Sequence, residues 1–172
     1  MALPIIGPAT NQGYSGDTWG QLLYFLGPYT APVSGTVLAF GACQDTAQSV
    51  TIGLYTNNSG SPGTLVAVSN QLSAVAADNV PQWQTVNGTS GSVTAGQSYF
   101  IAVYASANIH VREHAGTNQM YSQTIAYSSG SMPATASASA FGSYKYDWSF
   151  FAVIAPPSGG LIRAGFDAGI GD

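Results

Sequence analysis

No window of a dozen residues in this chain holds an apolar repeat of 3.6 that is free of Gly, Pro and β-branched residues. An amphipathic helix needs such a repeat, so almost no helix is expected. The opposite pattern is plain at Gln48–Asn70, QSVTIGLYTNNSGSPGTLVAVSN. Val50, Ile52 and Leu54 fall on one face of an extended chain, and Thr51, Gly53 and Tyr55 on the other, because strand side chains alternate with period two. A second β-rich run, Thr64–Val68, follows eight residues drawn from Asn, Ser, Gly, Pro and Thr. Asn and Gly tolerate positive φ and Pro pre-sets a turn, so the reading is strand, loop of four to eight residues, strand.

The same signals recur along the chain. Trp19–Leu26 is apolar on both faces and ends at Gly27-Pro28; Val33–Ala42 follows as its antiparallel neighbour. Asn70–Ala77 alternates weakly and Gln82–Val86 clearly. Tyr99–Ala105 (YFIAVYA) is the most hydrophobic run and the expected sheet centre. Ile109–His114 continues extended, Thr124–Tyr127 is short, Ser128–Ser143 reads as a low-complexity loop, and Tyr144–Ala155 is the last strand. About eight to ten short strands with turn signals between them predict an all-β, antiparallel two-sheet sandwich of the jelly-roll kind. The chain suits one core. The expected division is an N-terminal arm (1–16), a sandwich (17–155) and a Gly-rich C-terminal arm (156–172). Leu3, Ile5 and Ile6 in the first arm, and Leu161, Ile162 and Phe166 in the second, are too apolar to stay exposed. Both extended arms are therefore expected to be held, by this sandwich or by a neighbour.

Composition narrows the function. Charged residues make up 6% of the chain, against about 25% in an ordinary soluble domain. The three cations, Arg112, Lys145 and Arg163, argue against nucleic acid, whose phosphates are bound by clustered Lys and Arg. No run reaches the roughly 20 apolar residues of a membrane helix, and MALPIIGPAT lacks the basic start and apolar stretch of an export signal. Cys43 has no second cysteine to pair with and reads as a small buried apolar residue.

Several constellations bear on possible chemistry. His110-Val111-Arg112-Glu113-His114 matches a zinc-protease string that works on a helix, but it stands in a strand context. There His110, Arg112 and His114 share a face and Glu113 points away. His110 and His114 remain weak metal candidates without an evident third ligand. Asp17, Asp45, Asp78 and Asp147 fall in or beside expected loops without calcium-loop spacing. No nucleophile elbow and no pair of carboxylates stands out, so neither enzymatic activity nor a cofactor is expected. The aromatics are the remaining signal. Trp19, Trp83 and Trp148, with ten Tyr, exceed what a core of this size needs. Tyr144, Tyr146 and Trp148 alternate on one face of the last strand and form the best candidate for an exposed stripe, able to stack on sugar rings or to anchor a protein interface.

VTIGLYTNNSGSPGTLVAVSN, Gln82-Trp83-Gln84-Thr85 and SVTAGQSYFIAVYAS together resemble a β-sandwich pattern found in bacterial "choice-of-anchor" and sugar-binding-like jelly-roll domains, with related segments in phage virion accessory proteins. The likeness covers Val50 to Ala105, roughly a third of the chain. It implies a fold more than a function. With the apolar arms and the scarcity of charge, it leads us to expect a structural subunit of a virus particle: a capsid decoration (cement) or head-fibre protein located in the virion. Its arms would bind protein subunits of the particle, in a homo-oligomer that the likeness suggests is a trimer. The alternative is an extracellular or cell-surface carbohydrate-binding module that holds a glycan on its aromatics.

Overall fold

A computed structural model of the chain describes residues 3–8, 14–19, 22–44, 49–72, 82–126 and 130–157, with the backbone alone at 14–19, 43–44, 82–86, 109–110 and 112–114. The described residues form two antiparallel sheets and no helix, a β-sandwich as the alternating pattern predicts. The first sheet holds β1 (Ile5–Ile6), β2 (Tyr14–Trp19), β4 (Gly35–Gln44), β7 (Gln82–Asn87), β8 (Ser92–Val93), β10 (Ile109–Ala115), β13 (Tyr146–Trp148) and β14 (Phe150–Ala155). The second holds β3 (Leu23–Thr30), β5 (Val50–Asn58), β6 (Ser61–Val68), β9 (Ser98–Ala105), β11 (Tyr121–Gln123) and β12 (Ser139–Ala140), in the order β12-β11-β3-β9-β5-β6.

β9 lies between β3 and β5, so the most apolar strand does sit inside its sheet. Its side chains serve two cores. Tyr99, Ile101, Val103 and Ala105 face the first sheet, together with Tyr24 and Leu26 of β3 and Val50, Ile52 and Leu54 of β5. Phe100, Ala102 and Tyr104 face the other way, with Leu23, Phe25 and Tyr55. That outer face is buried because residues 130–138, in the stretch that composition marks as a loop, cross it as a strap. Leu65 N donates to Ala134 O (2.9 Å) and Ala136 N to Gly63 O (2.8 Å), so the strap runs along the edge of β6. Met132 lies against Gly53, where a Cβ would come within 2.4 Å of its sulfur. Ile125, Ala136 and Ala138 pack on the same cluster.

Tyrosine hydroxyls tie the strap and its neighbours to the sheet. Tyr55 donates to Pro133 O (2.7 Å), Tyr104 to Ile125 O (2.7 Å) and Tyr121 to Gly60 O (2.8 Å). Part of the tyrosine excess in the sequence thus serves to bond loop carbonyls to the sheet.

Other boundaries move for local reasons. The expected loop between β5 and β6 contracts to Ser59 and Gly60, both at positive φ (52° and 92°). Such a two-residue turn matches the twist of the paired strands. Asn57 and Asn58 stay in the ladder opposite Pro62 and Ser61, and the Asn57 side chain accepts from Gly60 N (2.8 Å). The expected strand Trp19–Leu26 divides: Trp19 closes β2, while β3 starts at Leu23 and runs on through Gly27 and Pro28 to Thr30. A register shift between Leu26 and Tyr29 absorbs the missing proline N–H. The last strand divides at Ser149 into β13, paired with β10, and β14, paired with β4. Thr124–Ala126 is not strand; the short strand lies just before it, at β11. Of the stretch Asn70–Ala77, residues 73–77 lie outside the described ones.

Close backbone approach constrains one glycine sharply. A Cβ on Gly91 would stand 2.0 Å from the Val66 carbonyl oxygen, and the Gly91 carbonyl accepts from Val37 N (2.8 Å). Gly91 cannot retreat without losing that bond, nor Val66 without disturbing β6. We therefore expect Gly91→Ala to destabilise the domain by more than about 2 kcal/mol, read by chemical denaturation. Met132→Ala, which uncovers the outer core, should cost about 2–4 kcal/mol. A shift under about 0.5 kcal/mol for Met132→Ala would mean that the strap does not seal that core.

Candidate functional site

The arms divide in their burial. Ile6 is 0% exposed in the main core, and β1 pairs with β14 through Ile5 opposite Val153 and Ile6 opposite Ala152. Gly7 follows at positive φ (99°), and a Cβ there would strike the Phe150 carbonyl oxygen. The N-terminal segment is thus part of its own sandwich as far as Gly7. Burying Ile6 contributes about 2 kcal/mol, so removing the arm would also remove core. Leu3 stands out from the sheet edge at 50% exposure. Leu161, Ile162 and Phe166 lie outside the described residues.

The aromatic stripe is not what alternation suggests. Tyr144 precedes β13 in a turn, with its N–H directed to Phe141 O (3.3 Å), while Tyr146 and Trp148 are in the strand. Trp148 is 0% exposed and packs against Tyr24 (ring centroids 5.2 Å) and Phe150 (6.2 Å). Hence it cannot present a face to a ligand, which corrects its place among the binding candidates. Tyr146 is half-buried and Tyr144 is 48% exposed. Phe141, Tyr144 and Tyr146 form a stacked series with centroids 5.5 and 6.1 Å apart. The stripe runs from surface into core. Trp19 closes β2 opposite Ile109, and Trp83 lies in β7 opposite Cys43; the side chains of these three, Trp19, Trp83 and Cys43, lie outside the described ones.

His110 and His114 lie in β10, opposite Thr18 and Asp147 respectively, and a register shift falls between His110 and Arg112. Their side chains are outside the described ones. Among the described residues no group of three His, Cys, Asp or Glu is placed to hold a metal.

Asp147 sits in a strand rather than a loop, and β13 carries it to the edge of the sandwich facing β3. There the Tyr29 hydroxyl donates to its Oδ1 at 2.7 Å, joining the two sheets across 118 residues of sequence. Behind the carboxylate lies Gly116, where a Cβ would come within 2.9 Å of Oδ2. A cleft of about 420 Å³ opens here, with Ile5, Pro8 and Pro28 as apolar walls and Tyr29, Thr30 and Asp147 as polar ones. Burial pushes the Tyr29 hydroxyl well above the ordinary tyrosine value, and the charge of Asp147 and the hydrogen bond to it push further. Burial raises Tyr55 as well. No pattern in the sequence marks the Tyr29–Asp147 pair, because its partners are distant and each is common. Leu38, 46% exposed on β4 between buried Val37 and Phe40, was likewise not legible. It falls at the register shift between Val153 and Ile154 of the facing strand, where alternation breaks.

Comparison with protein-family models, curated proteins and solved structures finds no match to this chain.

Because the fold favours protonated Tyr29 and Tyr55, their contribution to stability is complete below tyrosine's ordinary pKa of about 10 and is lost as pH rises beyond it. Each can add up to about 1.4 kcal/mol of lost stability per pH unit there. Denaturation midpoints should fall steeply above about pH 10, and Tyr29→Phe should flatten that fall. An unchanged alkaline slope in the variant would contradict the buried, Asp147-bound hydroxyl.

Proposed function

We propose that this chain is a non-enzymatic structural subunit of a virus particle, a decoration (cement) or head-fibre protein of the phage kind, that acts by contact with neighbouring subunits. The observation that carries the reading is the contrast between the outer faces of the two sheets. The second sheet is covered by the chain's own strap. Among the described residues the first leaves Leu38 exposed on β4 and Ile5 and Val153 half-buried, with Leu3 standing at the adjoining edge. Large exposed apolar side chains on a surface otherwise poor in charge are what a lattice contact uses: burial drives association and little charge repulsion opposes it. The role needs no reaction, since a subunit that binds the assembled shell stabilises it by mass action. A homotrimer located in the virion is the assembly this reading favours.

A carbohydrate-binding role is the second reading, favoured by the stacked Phe141, Tyr144 and Tyr146 and the 48% exposure of Tyr144. Aromatic rings at a surface are sugar platforms as readily as protein anchors.

Because Ile6 belongs to the core, surface substitutions test the first reading more cleanly than deletion of the arm. Light scattering of the full chain should give a defined oligomer, and the double variant Leu3→Ser, Leu38→Ser should be a monomer of unchanged melting temperature. A monomeric full chain, or an oligomer untouched by both substitutions, would count against subunit contact. In the latter cases a glycan array giving hits that Tyr144→Ala abolishes would move the second reading to first place.

A further inference from the structure

We infer that the cleft between β1, β3 and β13 is a socket for a lysine or arginine side chain of a partner protein. This rests on the reading that the chain works through protein contacts. The first argument is a count of donors and acceptors. Tyr29 gives its one proton to Asp147, so among the described residues neither group keeps a proton to donate toward the cleft. A carboxylate offers about four acceptor sites, and among the described residues Tyr29 fills one of them. The Thr30 hydroxyl lies 3.4 Å from that of Ser98 and can serve as a further acceptor. The polar side of the cleft therefore asks for a ligand rich in N–H or O–H groups.

Charge then selects among such ligands. The chain has seven acids against three Lys and Arg, and among the described residues no Lys or Arg lines the cleft. A sugar would supply hydroxyl donors but no positive charge to set against Asp147. An ammonium or guanidinium group supplies donors and charge together, and hydrogen bonds between such ions are about twice as strong as neutral ones. The walls match the remainder of such a side chain. Ile5, Pro8 and Pro28 offer apolar surface to the methylene stem, which lysine and arginine bury while their heads stay polar. Gly116 behind Asp147 and the bond from Tyr29 hold the carboxylate in place, so little ordering remains to oppose binding. The raised Tyr29 pKa adds that the tyrosine proton stays where it is.

The test uses the full-length chain labelled with nitrogen-15 and titrated with Nα-acetyl-lysine methylamide, Nα-acetyl-arginine methylamide and methyl glucoside. The two cationic probes should shift the amides of Thr30 and Asp147. Their affinity should fall several-fold when salt is raised to about 1 M, where the Debye length drops to about 3 Å. Asp147→Asn can still accept from Tyr29, and it should weaken the cationic probes about tenfold or more, the equivalent of about 1.4 kcal/mol. Three results would overturn the proposal: no shift of these amides by either cationic probe, equal shifts by the glucoside, or cationic binding indifferent to both salt and Asp147→Asn. The probes report on the cleft directly, whereas loss of the oligomer by light scattering reports on Leu3 and Leu38, so failure of the socket and failure of the assembly reading are told apart.

Discussion

A strand carrying large apolar side chains on both faces cannot be satisfied by a two-layer sandwich, which buries one face and leaves the other to water. β9, with β3 and β5 beside it, is such a strand, and most of the remaining structure follows from covering it twice. One cover is the first sheet. The other is the strap at residues 130–138, which has no apolar period of its own and is held by bonds to separate strands. Its backbone meets β6 through Leu65 and Ala136. The Gly130 and Ser137 amides donate to the side chains of Thr51 (3.1 Å) and Gln123 (2.8 Å). The Ser- and Ala-rich composition lets the strap lie close, and Met132 fills the space over Gly53 that a side chain would occupy.

The same asymmetry frames the functional reading. Among the described residues the outer face of the second sheet is buried by the strap, whereas the first keeps half-buried Ile5 and Val153 and exposed Leu38. On that face Phe151 lies across Gly41, where a Cβ would meet its ring within 2.1 Å. The N-terminal segment contributes Ile6 inward and Leu3 outward, so its first residues serve the fold and the surface together. An arm built this way is anchored in its own sandwich and leaves Leu3 at the surface. The cleft lined by Tyr29, Thr30 and Asp147 lies at the same edge.

How much of this was legible in the sequence depends on the range of each interaction. The alternation of Val50, Ile52 and Leu54 and the buried centre at Tyr99–Ala105 were readable because strand period and hydrophobicity are local properties. The turn at Ser59-Gly60 is shorter than its composition implies: its flanking Asn residues have turn propensity, but ladder pairing opposite Ser61 and Pro62 overrides it. The strap has the composition of a loop because its order comes from tertiary bonds rather than from pattern. Alternation alone gives Tyr144, Tyr146 and Trp148 one exposure, yet the chain turns at Tyr144 and dives into the core by Trp148. Tyr29 and Asp147 meet only because two sheets pack, which no local window records.

Amide hydrogen exchange under native conditions tests the central claim, that the strap is a structural layer of the domain. The Leu65 and Ala136 amides should exchange as slowly as those of β9, through opening of the whole domain, because their bonds across the strap seal the outer core. Exchange of both at the rate of an open loop, with β9 still protected, would contradict the account and leave the second sheet with one face unsealed.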